Sequence, residues 1–139
     1  MKKFLLLLLV FGFTTNAYAK DLSKEIIPPN EMTVKDFFTV DFSKAANEKE
    51  GEKMGMNVGM VIGNLAAMKF RVTQSKAVSK RELDCIEKLG GVESMQSDFE
   101  NGKLDGNEKV SWAYAKRLMK CLKPENQKRM LKDMQELLK

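Results

Sequence analysis

The sequence predicts an all-α fold, a small bundle of about four to five helices stapled by one disulfide. Apolar residues recur at helical spacing in several segments, and most of these segments begin at a residue that can cap a helix. No segment shows a convincing strand pattern with an obvious partner strand. The chain has two cysteines, Cys85 and Cys121, and each falls on a different predicted helix.

Residues 1–19 have the features of a secretory signal peptide. Two lysines precede the apolar run FLLLLLVFGF (residues 4–13), and the small-x-small motif AYA occupies residues 17–19. An uncleaved N-terminal anchor is the alternative, but the run is shorter than the roughly 20 apolar residues that span a bilayer. We therefore expect cleavage after Ala19 and a periplasmic or secreted mature protein.

Residues 20–30 contain a proline pair and predict an extended, loosely held N-terminal arm, whereas residues 31–139 predict a single helical domain. The first helix would begin at Thr33, because Asp36 three residues later completes a capping-box pattern. The polar segment SKAANEKEGEK would then provide a turn or a frayed helix end. A loop is predicted at RVTQSKAVSK, after an uncharged helix.

The helices of the second half are marked more clearly. Ser79 and Glu82 form a capping-box pattern, and a Gly-Gly pair ends the helix that they begin. A short helix would follow and stop at Gly102. The strongest apolar periodicity begins at Val110, and Pro124 separates that helix from the last one.

Composition and charge narrow the classes of function. Without its signal peptide the chain has 22 basic and 19 acidic residues, which are interspersed and do not form the basic patch of a nucleic-acid-binding protein. It has no histidine, the commonest general base and metal ligand. Residues 100–110 do not fit a calcium-binding EF-hand loop, because Lys103 and Trp112 would occupy positions that require an oxygen ligand. We expect no enzymatic activity, no metal and no cofactor.

The two cysteines of an exported chain are expected to pair with each other, because the oxidising compartment favours disulfides. Their spacing is far too wide for a redox-active CxxC motif. A Cys85–Cys121 bridge would therefore be structural, and the chain-entropy model gives it a stabilisation of about 3 to 4 kcal/mol.

A row of small residues at intervals of four is the most unusual feature of the sequence. Glycine in a helix costs about 1 kcal/mol relative to alanine, so the row needs an explanation. One interpretation is close packing against another helix of the same chain, and a second is a self-association seam in a homodimer. Membrane insertion is disfavoured, because the uncharged stretch around the row has only fifteen residues. The row comprises Gly51, Gly55, Gly59, Gly63 and Ala67.

The same helix contributes a group of methionines. Methionine side chains are flexible and form adaptable apolar surfaces for protein partners. The alternative is a plastic core in which the methionines are buried. The candidate partner surface comprises Met54, Met56, Met60 and Met68.

Acid could expose such a surface. Protonation of all 19 carboxylates would raise the charge of the mature chain from +3 toward +22, and self-repulsion would then loosen the fold. The disulfide would keep the loosened chain from unravelling completely. This is a physical outline of an acid-activated holdase, a chaperone that binds unfolded clients.

Two resemblances bear on the function. The segment EMTVKDFFTVD (residues 31–41) resembles the first helix of HdeA/HdeB-like periplasmic acid-stress chaperones, which are small, exported, all-helical and contain one disulfide. Those proteins have a bridging cysteine where this chain has Val34, so the disulfide topology differs. The order of a GxxxG helix, GMNVGMVIGNLAAM (residues 55–68), and two later cysteines is also similar to that of periplasmic immunity proteins against type VI secretion effectors.

The sequence therefore predicts an exported, non-catalytic protein that acts by protein–protein contact. The first hypothesis is a periplasmic stress chaperone whose partners are unfolded clients at low pH. The alternative is a dedicated inhibitor or immunity protein that binds one toxin or enzyme. A homodimer is compatible with both hypotheses, whereas nucleic acid and membrane partners are not expected.

Overall fold

Six α-helices form in residues 21–137, the part of the chain that the computed structural model describes, and this confirms the all-α prediction. Two single-turn 3-10 helices, Pro29–Glu31 and Phe42–Lys44, add to the predicted number of elements. The signal peptide and its cleavage after Ala19 lie outside the described residues and stay predictions. The helices are α1 (Val34–Phe38), α2 (Glu48–Gln74), α3 (Lys80–Lys88), α4 (Val92–Glu100), α5 (Val110–Met119) and α6 (Pro124–Leu137).

Helix α2 is 27 residues long and extends beyond the predicted uncharged stretch in both directions. Its N-cap is Asn47, whose side chain accepts a hydrogen bond of 2.9 Å from the backbone N–H of Glu50. The second half of SKAANEKEGEK, which was predicted to be a turn or a frayed helix end, therefore begins the helix, and the first half of the predicted loop RVTQSKAVSK ends it. One side of α2 is buried against α5 and the N-terminal segment through Met54, Asn57, Val61, Leu65, Met68 and Val72.

The N-terminal segment is fixed to α2, so the prediction of a loosely held arm is wrong for residues 21–30. Leu22 and Ile27 belong to the core. The buried side chain of Asn57 accepts a hydrogen bond of 2.8 Å from Ile27 N and donates to the carbonyls of Leu22 and Glu25 at 2.9 Å each. A buried amide with all three bonds made stabilises the segment, whereas an apolar residue there would leave backbone groups unsatisfied.

A short backbone seam joins the start of α1 to the turn before α5. Val34 N donates to Glu108 O at 2.8 Å, and Val110 N donates to Met32 O at 2.9 Å. Gly106 lies so close to α1 that an added Cβ would come within 3.2 Å of the Cβ of Lys35. Residues 100–110, which were considered for a calcium loop, thus form an inter-helix turn that is hydrogen-bonded to the start of α1.

The predicted capping box and glycine stops of the second half are confirmed, whereas the N-cap of α5 is Lys109 without a side-chain bond, so the expectation that Asp105 or Asn107 caps this helix is wrong. Ser79 and Glu82 form a complete capping box at the start of α3. Gly90 and Gly102 follow α3 and α4 with φ angles of 76° and 72°, which glycine adopts without steric cost. The disulfide between Cys85 and Cys121 is formed with a Cα–Cα distance of 5.5 Å, and it joins α3 to the turn after α5.

Arg117 on α5 provides a second link between the later helices. One of its guanidinium nitrogens forms an ion pair with Asp98 on α4 at 2.6 Å. The second terminal nitrogen donates to Ser94 Oγ at 2.7 Å and to Leu89 O at 3.4 Å. The hydrogen bond from Arg117 to Asp98 lowers the pKa of that carboxyl, so this ion pair persists to a lower pH than an ordinary aspartate would allow.

Candidate functional site

The glycine row on α2 faces solvent rather than another helix of the chain. A Cβ built on Gly55, Gly59 or Gly63 would have no heavy atom of the rest of the protein within 4 Å, and all three residues are exposed. Only Gly51 has a neighbour, Ala45, whose Cβ would lie 3.9 Å away. Close packing of the row within the chain is therefore wrong for these three positions. The self-association seam stays a prediction.

Large apolar side chains lie beside the exposed glycines. Among the described residues, seven large hydrophobic side chains are strongly exposed, and four of these belong to α2. Phe70 is 63% exposed, Met56 is 55% exposed and Ile62 is 48% exposed. Apolar side chains scattered singly on a surface are ordinary, but a group on one helix is a feature of interaction surfaces. We call this surface the α2 face, comprising Gly55, Met56, Gly59, Met60, Ile62, Gly63, Ala66 and Phe70.

The four candidate methionines divide between the core and the α2 face. Met56 and Met60 are exposed, as predicted for a partner surface. Met54 and Met68 are buried, so their assignment to that surface is wrong. The reason is their position around the helix, because Met54, Val61 and Met68 repeat every seven residues and stay on one side of it.

Charged residues of α2 lie only beyond the two ends of the α2 face. No residue from Gly55 to Met68 is charged. Glu52 precedes the face by one turn, and Lys69 and Arg71 flank Phe70 at its other end. The face is thus an uncharged strip, bordered by Glu52 and Lys53 toward the helix N-terminus and by Lys69 and Arg71 toward the C-terminus.

A second arrangement of polar groups, missed from the sequence, surrounds Glu82. Its carboxylate accepts hydrogen bonds from the backbone and side chain of Ser79 at 3.0 and 2.9 Å. It also accepts hydrogen bonds from Lys123 N at 3.1 Å and from Asn126 Nδ2 at 2.9 Å. The capping box was visible in the sequence, but the two bonds to the start of α6 were not. Glu82 therefore links α3 to α6 beside the disulfide.

Burial and hydrogen bonding act on the pKa of Glu82 in opposite directions. Burial is the largest influence and by itself would raise the pKa, because it disfavours the charged form. The hydrogen bonds from Asn126, Ser79 and Lys123 outweigh it and lower the pKa to about 2, from an ordinary value of 4.5. The ionised carboxylate thus stabilises the folded state above about pH 4.5, and this contribution is lost as the pH falls toward 2.

Glu82→Gln should lower the free energy of unfolding at pH 7 by about 2 kcal/mol, because hydrogen bonds to a charged group are replaced by weaker ones. The difference from the wild type should shrink as the pH falls from 4.5 to 2. Urea denaturation at pH 7, 4, 3 and 2 measures it. Glu87→Gln, on the exposed side of α3, is the control. A difference that stays constant down to pH 2 would contradict a role of the ionised Glu82.

The described part of the chain gives no support for a metal or membrane site. No group of three or more histidine, cysteine, aspartate or glutamate side chains in residues 21–137 could hold a metal ion. None of the helices in the same range is long and apolar enough to cross a membrane. The α2 face is the candidate functional site because of its exposure and its lack of charge.

Comparison of the chain with protein-family models, with curated proteins and with solved structures gave no significant match.

Proposed function

We propose that the protein is an exported, non-catalytic binding protein whose α2 face receives an α-helix of a protein partner. The observation that supports this most is the open space over Gly55, Gly59 and Gly63. Each glycine costs about 1 kcal/mol of helix stability, and nothing in the described chain uses the close approach that it permits. A helix placed on this row could contact the backbone of α2 directly.

The surroundings of the row fit a helical partner. Met56 and Ile62 lie on the same surface as the glycines. Their side chains would supply apolar contacts to a helix packed on the row. The disulfide is compatible with an oxidising compartment, as export requires. The α2 face is exposed without any conformational change, which favours a partner bound at neutral pH over clients bound only in acid.

The acid-activated holdase is the second candidate, and Glu82 is the observation that favours it. Loss of the Glu82 charge would weaken the contacts between α3 and α6 while the disulfide still joined α3 to the end of α5. Apolar residues of α6 such as Met130 and Met134 would then become accessible. This function requires protection of unrelated clients at low pH and no preferred partner at neutral pH.

Photo-crosslinking tests the proposed function. A benzophenone amino acid replaces Ile62 on the α2 face or, as a control, the exposed Lys128 on α6, in the intact cells that produce the protein. We expect one discrete adduct at neutral pH from position 62, none from position 128, and loss of the adduct in Gly59→Leu. An adduct that survives Gly59→Leu would contradict the proposal. A heterogeneous series that forms only in acid would favour the holdase.

A further inference from the structure

We propose that Met56 and Met60 form a reversible oxidation site on the α2 face, and that conversion of their thioethers to sulfoxides abolishes binding of the partner helix. This inference rests on the proposed function, because it concerns the regulation of the same face. The oxidant is a small peroxide that reaches the protein surface by diffusion. Selective oxidation of the pair and its effect on binding are measured separately.

The methionines of the described chain differ sharply in exposure. Met56 is 55% exposed and Met60 is 37% exposed, whereas no buried methionine exceeds 5%. Met119 is half-buried. An oxidant reacts with the thioethers that it can reach, so the pair on the α2 face is the expected target. The six buried methionines are Met32, Met54, Met68, Met95, Met130 and Met134.

The glycine row leaves the two exposed methionines uncovered. Met56 and Met60 are four residues apart and therefore lie on the same side of α2. Residues three apart on a helix are also neighbours, so Gly59 lies beside Met56 and Gly63 lies beside Met60. Glycine has no side chain that could cover a neighbouring thioether, and a Cβ built on either glycine would meet no atom of the rest of the protein within 4 Å. Both methionine side chains therefore stay accessible to a small oxidant.

The reaction is a transfer of oxygen to sulfur. A lone pair of the thioether sulfur attacks an oxygen of hydrogen peroxide, the O–O bond breaks, and the other oxygen leaves as water after proton transfer. The sulfur loses the electron pair that the peroxide gains, and no bond of the backbone or of the disulfide changes. A sulfoxide reductase reverses the step with a dithiol, which becomes a disulfide while the oxygen leaves as water.

Oxidation changes the property on which binding to the α2 face depends. A thioether is flexible and apolar, whereas a sulfoxide is polar and requires a hydrogen-bond donor when it is buried. No residue from Gly55 to Met68 is charged, and the amide of Asn57 is bonded to the N-terminal segment. A helix packed on the oxidised face would therefore bury a polar group that α2 leaves unpaired, which is unfavourable.

The fold itself should tolerate oxidation of the pair. Met56 and Met60 are exposed and do not belong to the hydrophobic core, so their sulfoxides would stay in contact with water. A sulfoxide at Met95, which is completely buried, would instead place a polar group in the core. Oxidation of the surface pair thus changes the α2 face without unfolding the protein.

Limited treatment of the purified, folded protein with hydrogen peroxide, followed by peptide mass mapping, tests the selectivity. Sulfoxide should form at Met56 and Met60 at a rate about ten times that at the buried methionines, and circular dichroism should show an unchanged fold. Met95 and Met134 are internal controls, which should react as fast as the pair once urea unfolds the chain. Equal rates at Met56 and Met95 in the folded protein would overturn the proposal.

Photo-crosslinking from position 62 measures the effect on binding. Treatment of the cells with peroxide before irradiation should abolish the adduct of the wild type. The adduct should persist after the same treatment in Met56→Leu with Met60→Leu, because leucine preserves the apolar volume and is not oxidised. Met119→Leu is the matched control, which should lose the adduct like the wild type. Loss of the adduct in the double leucine variant as well would contradict control by these two methionines.

The outcomes separate this inference from the proposed function. An adduct that survives full oxidation of Met56 and Met60 refutes the regulation and supports the binding function. Absence of any adduct from position 62 in untreated cells refutes the proposed function, and the regulation with it. An adduct that is lost on oxidation of the pair and returns after treatment with a sulfoxide reductase supports both.

Discussion

Replacement of Gly55, Gly59 and Gly63 together by alanine should stabilise the monomer by about 2 to 3 kcal/mol and raise its Tm by roughly 10 °C. Alanine is the better helix former by about 1 kcal/mol per site, and each added Cβ would enter open space. Thermal unfolding followed by circular dichroism measures this gain.

At Gly106, in contrast, we expect replacement by alanine to lower the stability. At Gly106 an added Cβ would lie 3.2 Å from the Cβ of Lys35 and 3.3 Å from Cε1 of Phe99, so Gly106→Ala should destabilise the protein. If the triple variant were also destabilised, the row on α2 would be packed within the chain and the candidate site would be wrong. A stabilised triple variant that no longer gives the adduct from position 62 would show that the glycines lower helix stability but are needed for binding.

Removal of the disulfide by Cys85→Ala with Cys121→Ala should lower the free energy of unfolding by about 4 kcal/mol. The two cysteines are separated by 36 residues in the chain, and in the chain-entropy model a loop of that length contributes about this amount. Urea denaturation of the oxidised wild type and of the double variant measures the difference. A small domain of this kind has a total stability on the order of 5 to 15 kcal/mol, so the effect is large.

Reduction provides the internal control for this prediction. A thiol reductant should destabilise the wild type to the level of the double alanine variant and leave that variant unchanged. A double variant that differs from the oxidised wild type by less than about 1 kcal/mol would contradict the entropic account. Because Glu82 links α3 to the chain just after Cys121, Glu82→Gln should be non-additive with loss of the bridge.

The fold class and the ends of several helices could be predicted from the sequence because these are local properties. The capping box at Ser79 and Glu82, the glycine after α3 and the pairing of Cys85 with Cys121 all followed from residue types at short spacing or from a pair that had no other partner. Local signals also set the start of α1, where Thr33 Oγ1 accepts a hydrogen bond of 3.1 Å from Asp36 N.

The orientation of α2 could not be predicted, for a physical reason. Its uncharged middle offers two apolar sides, one of glycine with Met56 and Met60 and one of Met54, Val61 and Met68. Hydrophobicity alone does not distinguish them. The buried Asn57 determines which side of α2 faces the core, because its amide forms hydrogen bonds with the backbone of the N-terminal segment and must therefore face inward. The stretch contains two asparagines, Asn57 and Asn64, and the residue type alone gives no signal of that role.

The seam between Met32–Val34 and Glu108–Val110 has a consequence for the order in which the protein folds. It pairs the beginning of the described chain with a segment near its end, so its formation carries the entropic cost of closing a long loop. Such non-local contacts slow folding relative to a bundle that has only local ones. Helix α2 could form early, but Met32 and Val34 would stay uncovered until Val110 is available to pair with them. Folding of this protein is therefore expected to finish only after α5 is complete.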